Sequence, residues 1–325
     1  MTERFEDLGR IAGTGEDVVF DAVREAVGRV ESGHESSVAD GMLLAAVEQD
    51  DRSDARWLRT LFGRRWSRVV LATLFGPMRF VIKVGTSLIA PEGRIDTVRM
   101  RALIDQLELS RHEYLMVSSG AIASGMVNLS LKDRPASVPL MQACAAVGQS
   151  LLMHTYEQLF FGKKVVAQLL LSSDDFTSPL RYQNLQNALH QLMKLGVVPI
   201  VNENDSVSVR ELVGAFGDND ELSALLATAV KADWLLLLTD VDGFYGGTGS
   251  RRKLLRTVRR LTPEMEALCN GKGRLGTGGM RSKLRAAKVA SEAGVQVAIV
   301  NGRHPHAIRL AVERKIGTYF PARAG

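Results

Sequence analysis

The chain has 325 residues, of which 46% are hydrophobic and 24% charged, and its formal net charge is +5. This composition provides material for a sizeable core and excludes a largely disordered chain. Its two cysteines, Cys144 and Cys269, are too few for a disulfide framework, which favours a reducing compartment. The sequence lacks a run near the roughly 20 apolar residues of a membrane helix, and its acidic start lacks the features of a signal peptide. We therefore expect a soluble, cytoplasmic protein without a membrane partner.

The charge of the chain changes sign near Met78. Residues 1–77 contain no lysine and have a net charge of −4, whereas residues 78–325 have a net charge of +9. The earlier part has helical spacing in EDVVFDAVREAVGRV, ADGMLLAAVEQ and ARWLRTLFGRRWSRVVLATLF. We interpret residues 1–77 as a small helical N-terminal extension, most simply a helical cap with a solvated arginine face. Contact with an anionic surface and a true start at Met78 are the alternatives.

From residue 78 onward, strand-like apolar runs alternate with helical ones. The predicted strands are RFVIKVG, EYLMVSSG, KVVAQLLL, VVPIVNEN, DWLLLLTD and VQVAIVNG. The predicted helices are residues 99–109, LMQACAAVGQSLLMHTYEQLF, YQNLQNALHQLMKLG, NDELSALLATAVKA and GMRSKLRAAKVASEAG. This alternation indicates βαβ units, and therefore an α/β fold in which helices cover both faces of a mostly parallel central sheet. RRKLLRTVRR, late in the chain, is interpreted as a solvated loop and helix face.

The residues that follow each predicted strand are the candidate site, because ligands of parallel sheets bind beyond the carboxyl ends of the strands. These segments are KVGTS (83–87), SSGAIASG (118–125), NENDS (202–206) and TDVDG (239–243), joined by the glycine-rich GTGGMRSK (276–283) that opens a helix. Glycine-rich loops and helix N-termini suit phosphate, although each signal alone is weak and no Walker A motif occurs. The six histidines are scattered, so no metal site is predicted.

The combination of these segments predicts phosphoryl transfer. It supplies two lysines on separate elements, glycine-rich strand ends and acid-amide pairs, and this chemistry depends on positioning and charge stabilisation. A carboxylate acceptor is already an anion and needs no general base, which fits a cluster without histidine.

Eight strings extend this prediction to a family. They are VIKVGTSLI, VSSGAIASGM, AAVGQSLL, VPIVNENDSVS, GDNDELSA, LLLLTDVDGFY, GTGGMRSKL and IGTYF. Through them residues 79–320 resemble the amino acid kinase family, which has a three-layer αβα sandwich fold. Within the family they resemble the branch that phosphorylates the γ-carboxylate of L-glutamate with ATP, the first step of proline biosynthesis.

The resemblance implies roles on the phosphate side of the site. Lys83 and Lys283 would neutralise the phosphates on either side of the transferring group, and Asp220 would orient both lysines. The backbone amides of Gly85 and Gly120 would hold the oxygens of that group.

It also implies substrate and nucleotide contacts. Asp205 would bind the α-ammonium group of glutamate. The carboxylate oxygens of glutamate would be bound by Ser119, Asn202 and Asn219. The nucleotide would contact Lys83, Thr239, Asp240, Thr277, Gly278, Gly279, Met280, Arg281, Ser282 and Lys283. Without the resemblance, Asn202 and Asp205 could instead form Asx turns, and Asp218 or Asn219 could cap a helix.

ATP and Mg²⁺ are the implied cofactors, with Mg²⁺ carried by the nucleotide. The implied partners are L-glutamate, a second copy of the chain, proline as a feedback inhibitor and glutamyl phosphate reductase; nothing supports a nucleic acid. The strings of the resemblance end close to Gly325, so we expect no C-terminal PUA domain of the kind found in many bacterial members of this branch. The alternatives are a sister kinase acting on another acid or phosphate acceptor, and a non-catalytic amino-acid sensor.

Overall fold

The computed structural model describes residues 77–172, 174–207, 219–247, 252–269 and 279–323. The predicted helices of residues 1–76 lie outside the described residues, so the N-terminal extension remains a prediction. From Met78 onward the chain forms one compact unit. Within the described ranges, no helix combines the length and the apolar character needed to cross a bilayer.

The unit contains a seven-stranded sheet and a separate two-stranded sheet. The strands are β1 (Arg79–Val84), β2 (Glu113–Val117), β3 (Val166–Leu171), β4 (Val198–Glu203), β5 (Trp234–Thr239), β6 (Tyr245–Gly246), β7 (Lys253–Leu254), β8 (Gln296–Asn301) and β9 (Thr318–Phe320). The large sheet has the order β3-β4-β2-β1-β5-β8-β9, and its adjoining strands are parallel except for β8 and β9. The prediction of a mostly parallel central sheet is confirmed.

Helices connect these strands. They are α1 (Thr86–Ile89), α2 (Thr97–Ile104), α3 (Ala121–Asn128), α4 (Val138–Phe160), α5 (Asp174–Thr177), α6 (Pro179–Lys194), α7 (Asn219–Ala229), α8 (Pro263–Ala267), α9 (Met280–Glu292) and α10 (Ala307–Val312). The helix predicted at residues 99–109 begins and ends earlier than expected. Its start is set by Asp96, whose side chain accepts a hydrogen bond from the backbone N–H of Arg99 at 2.9 Å.

The segment predicted as a solvated loop and helix face, RRKLLRTVRR, contains β7 instead of a helix. Val258 is 3% exposed, and its backbone N–H donates to the carbonyl oxygen of Tyr319 at 2.9 Å. The helical part of that interpretation is wrong, because the segment pairs with β6 and with the chain near β9.

The alternation of side chains along β1 decides which helices meet the site. Phe80, Ile82 and Val84 belong to an apolar cluster that also contains residues of α2, α4 and α10. Val81 belongs to a second cluster with residues of α6, α7 and α9. Because successive residues of a strand point to opposite faces, Lys83 shares the face of Val81 and is directed toward α7 and α9.

Helices α3 and α4 pack with their backbones in close approach. A Cβ atom on Gly125 would lie 1.8 Å from the carbonyl oxygen of Cys144, and one on Gly148 would lie 1.8 Å from that of Ala121. Only glycine allows this distance. The packing holds the middle of α4 against the first residue of α3, directly after the loop at the end of β2.

Candidate active site

The carboxyl ends of the parallel strands meet at one edge of the sheet. Lys83 of β1 pairs in register with Val117 of β2 and with Leu237 of β5, and Val117 pairs with Val201 of β4. The segments that follow these strands therefore emerge side by side. The strand-end argument from the sequence predicts that the candidate polar residues lie at this edge.

Four residues form what we call the cation cluster: Lys83, Asp220, Ser282 and Lys283. The Nζ atom of Lys83 lies 2.7 Å from Oδ1 of Asp220, and the Nζ atom of Lys283 lies 2.9 Å from Oδ2. The Oγ atom of Ser282 lies 2.7 Å from the same Oδ2 atom. Elements far apart in sequence thus bring both ammonium groups to one carboxylate.

The charge of Asp220 is stabilised by its neighbours. Its side chain is fully buried, and burial raises the pKa of a carboxyl group. The Lys83 and Lys283 ammonium groups act in the opposite direction and hold the pKa of Asp220 well below its ordinary range. Asp220 also lies in the first turn of α7, where the helix dipole favours an anion. The cation cluster therefore contains two buried positive charges and one negative charge.

A second group, which we call the amide cluster, consists of Ser119, Gln149, Asn202 and Asn219. The Nδ2 group of Asn219 donates to Oδ1 of Asn202 at 3.1 Å and to Oγ of Ser119 at 3.3 Å. The Nδ2 group of Asn202 donates to Oε1 of Gln149 at 2.8 Å. All four side chains are buried. Because Asn219 immediately precedes Asp220 on α7, the two clusters adjoin.

Gln149 was not among the predicted site residues. It lies in the middle of α4, far in sequence from any strand end, although it falls within the matching string AAVGQSLL. A signal was available, since this glutamine interrupts the apolar face formed by Ala145, Leu152, Met153 and Tyr156. A polar residue inside a buried stripe indicates a specific partner.

Asp205 lies in the turn after β4 and is 7% exposed. Asn202 forms no Asx turn at this strand end; its Oδ1 atom accepts from the backbone N–H of Glu203 at 3.0 Å and from Asn219. Asn219 lies within α7, and the alternative cap Asp218 is outside the described residues. The structure thus brings Asn202 and Asn219 into contact, as a common role predicts.

The two predicted backbone contacts differ in geometry. Gly120 precedes α3 with a φ of 90°, a conformation that glycine adopts without strain. The backbone N–H of Gly85 donates to the carbonyl oxygen of Leu238 at 3.1 Å, so it is already bonded within the sheet. The predicted contact between Gly85 and a phosphoryl oxygen would require that bond to be shared.

The predicted nucleotide residues lie at two places. Thr239 ends β5 directly after Leu238, which pairs with Val84, and its hydroxyl lies 3.3 Å from Oδ1 of the exposed Asp240. Gly279, Met280, Arg281 and Ser282 open α9, with Arg281 exposed and Ser282 in the cation cluster. Thr277 and Gly278 lie outside the described residues. The described part of the glycine-rich loop therefore begins directly before the helix that carries Lys283.

Comparisons with known proteins identify the family and relatives of the chain. The model of the amino acid kinase family matches residues 78–301. A glutamate 5-kinase from Clostridium acetobutylicum is 44% identical over 241 residues, which cover 71% of this chain and 89% of that protein. One from Listeria monocytogenes is 43% identical over 258 residues, which cover 75% of this chain and 93% of that protein.

Solved structures show the same fold at low identity. Carbamate kinase from Giardia lamblia bound to AMP-PNP has a TM-score of 0.52 and 18% identity, and covers 76% of this chain and 99% of its own. An isopentenyl phosphate kinase has a TM-score of 0.51 and 16% identity. The match covers 74% of this chain and 99% of the chain of that kinase. These likenesses concern the fold alone.

Proposed function

The chain belongs to the amino acid kinase family, and we propose that it transfers the γ-phosphoryl group of ATP to the γ-carboxylate of L-glutamate. The product is L-glutamyl 5-phosphate, the first intermediate of proline biosynthesis. The observation that carries this proposal is the buried Lys83–Asp220–Lys283 cluster beside the buried amide cluster. The identity of 43–44% to glutamate 5-kinases over most of their length supports glutamate as the acceptor.

The cation cluster would stabilise the charge that spreads over the transferring phosphoryl group. In the reaction, a γ-carboxylate oxygen of glutamate forms a bond to the γ-phosphorus, and the bond from that phosphorus to the bridging oxygen breaks to release ADP. Lys83 and Lys283 would contact the phosphates on either side, and Asp220 keeps both ammonium groups in place before substrate arrives. The acceptor is ionised at neutral pH, so no residue has to remove a proton.

The acceptor side would bind a zwitterion. Asp205 supplies a carboxylate for the α-ammonium group, whereas the amide cluster supplies neutral N–H and O–H donors for carboxylate oxygens. An N-acetylated acid would leave the Asp205 carboxylate facing a neutral amide, which is costly in a buried site. This favours glutamate over the acetylated acceptor of a sister kinase.

Mg²⁺ would reach the site with ATP. One carboxylate oxygen of Asp220 carries Lys83 and the other carries Lys283 and Ser282, so this residue does not fit the role of a magnesium ligand. Among the described residues, no three His, Cys, Asp or Glu side chains lie together as a metal-binding group. The β- and γ-phosphate oxygens are the ligands that we propose for Mg²⁺.

The proposal also covers the domain boundary, cellular location, assembly, inhibition and pathway partner of the enzyme. We propose that residues 78–325 are the kinase domain, that the enzyme acts in the cytoplasm as a homo-oligomer, that proline inhibits it and that glutamyl phosphate reductase consumes its product. A non-catalytic sensor is disfavoured, because Lys83, Asp220 and Lys283 are all retained in one cluster.

A coupled assay of ADP release tests the function directly. The full chain with Mg-ATP is expected to release ADP in the presence of L-glutamate, and to do so far less with L-aspartate, N-acetyl-L-glutamate or a nucleoside monophosphate. Hydroxylamine added to the reaction should trap an acyl hydroxamate in an amount that matches the ADP. If saturating glutamate yields no ADP while another acceptor does, the proposed substrate is wrong.

A further inference from the structure

Gln149 has a fixed position beside the site. It is 7% exposed and follows Gly148, whose close approach to the carbonyl oxygen of Ala121 holds α4 against the start of α3. Its Oε1 atom contacts Asn202 at the end of β4. The side chain therefore links the long helix to the strand end that carries the predicted acceptor contacts.

One backbone group sets the direction of every hydrogen bond in the amide cluster. The backbone N–H of Glu203 donates to Oδ1 of Asn202 at 3.0 Å, and a backbone donor in a strand cannot be turned around. Asn202 must therefore direct its oxygen toward this N–H and its Nδ2 group toward Gln149. The same oxygen accepts from Asn219, which fixes the amide of Asn219 as well.

This arrangement leaves an amide nitrogen and an amide oxygen without a hydrogen bond. The Nε2 group of Gln149 and the Oδ1 atom of Asn219 are both buried, and neither has a hydrogen-bond partner among the described residues. Burying such groups without partners is costly, so a partner is expected in the working protein. An N–H donor matches a carboxylate oxygen, and an amide oxygen matches an ammonium group.

We propose that Gln149 is a positioning and specificity residue for the amino-acid acceptor. It holds Asn202 in the orientation that Asn219 requires, and it offers its Nε2 group as a donor to an oxygen of the bound acceptor. The proposal rests on the proposed function only in taking the acceptor to be a zwitterionic amino acid.

Steady-state kinetics of Gln149→Met test this role. Methionine has a similar volume but cannot accept a hydrogen bond from Asn202. The KM for glutamate should rise about 10- to 100-fold, while the KM for Mg-ATP should stay within about two-fold. The matched control is Gln158→Met, at an exposed position of the same helix, which should leave both constants unchanged. An equal rise in both KM values, or no rise for glutamate, would overturn the proposal.

A double variant separates positioning from general damage to the fold. In an Asn202→Ala background, Gln149→Met should raise the KM for glutamate by a smaller factor than in wild type, because the contact with Asn202 is already gone and only the direct N–H contact with the acceptor is lost. An undiminished effect in that background would contradict action through Asn202. If Gln149→Met does not fold, Gln149→Glu retains an acceptor for Asn202 and places a negative charge beside the acceptor carboxylate. This variant should bind glutamate more weakly, and wild-type glutamate binding by it would overturn the proposal.

The same variants separate this proposal from the proposed function. If wild-type protein phosphorylates a different amino acid instead of glutamate, the proposed function is wrong, and the kinetic comparison is repeated with that acid. A selective rise in its KM in Gln149→Met would support the role of Gln149, and an unchanged KM would reject it.

Discussion

The two halves of the site are organised by different forces. In the cation cluster, Lys83 and Lys283 contact one carboxylate, and three buried charges depend on each other. In the amide cluster, neutral groups are ordered by the direction of hydrogen bonds that begins at the backbone of Glu203. Charge acts with little directional preference, whereas an amide is useful only when its oxygen and nitrogen face the correct partners. We therefore expect the first half to control rate and stability, and the second to control the choice of acceptor.

The largest effect should follow the loss of the shared charge. Asp220→Asn keeps the shape of the side chain but leaves two buried ammonium groups without a carboxylate, which should lower the free energy of unfolding by about 3–5 kcal/mol. Urea denaturation without nucleotide measures this loss. The control is Glu221→Gln, at the next, half-buried position of α7, which should change stability by less than about 0.5 kcal/mol. Similar losses of stability in the two variants would contradict the stabilising role of the Asp220 carboxylate.

The stability difference between wild type and Asp220→Asn should change with pH in a defined direction. The folded-state pKa of Asp220 lies below its unfolded value, so its contribution is fully present above the unfolded value of about 3.9. That contribution is lost as pH falls toward the folded-state pKa. The stability difference between wild type and Asp220→Asn should therefore be constant near neutrality and should narrow below about pH 4. A difference that widens in acid would contradict the stabilisation of the ionised carboxylate.

The removal of one lysine ammonium group should have a smaller effect, and this effect should be on kcat. Lys283→Ala should lower kcat by about 100- to 1000-fold, because charge stabilisation in the transition state is lost while much of the substrate contact remains. Lys288→Ala is the matched control, since Lys288 is exposed on the same helix. The assay is glutamate-dependent ADP release. A change confined to the KM for glutamate would assign Lys283 to the acceptor half instead.

Within the cation cluster, a general rule predicts the place of Lys83 from sequence, whereas the role of Asp220 between the two lysines was implied by the resemblance to the amino acid kinase family. Parallel strands end at one edge, so Lys83 and the segments that follow the strands had to meet there. Gln149 follows no such rule, since its place depends on how α4 packs against α3. The bond between Gly85 and Leu238 was equally hidden, because it depends on the register of two strands separated along the chain. In RRKLLRTVRR, the many charged residues indicated a solvated segment, whereas tertiary pairing buries Val258.

The smallest effect should come from a single neutral hydrogen bond next to the amide cluster. The hydroxyl of Tyr156 lies 3.1 Å from Oγ of Ser118, and burial raises the pKa of Tyr156 to about 12. Tyr156→Phe should lower the free energy of unfolding by about 1 kcal/mol, whereas Tyr182→Phe, at a half-buried position, should have almost no effect. Because burial raises the pKa of Tyr156 while the Ser118 hydrogen bond lowers it, the folded state on balance favours the neutral phenol. The resulting contribution to stability is complete below the unfolded pKa of about 10 and is lost as pH rises toward 12. Denaturation at pH 8 and at pH 11 measures the stability difference between wild type and Tyr156→Phe and its change with pH. A larger stability difference at pH 11 than at pH 8 would contradict the assignment.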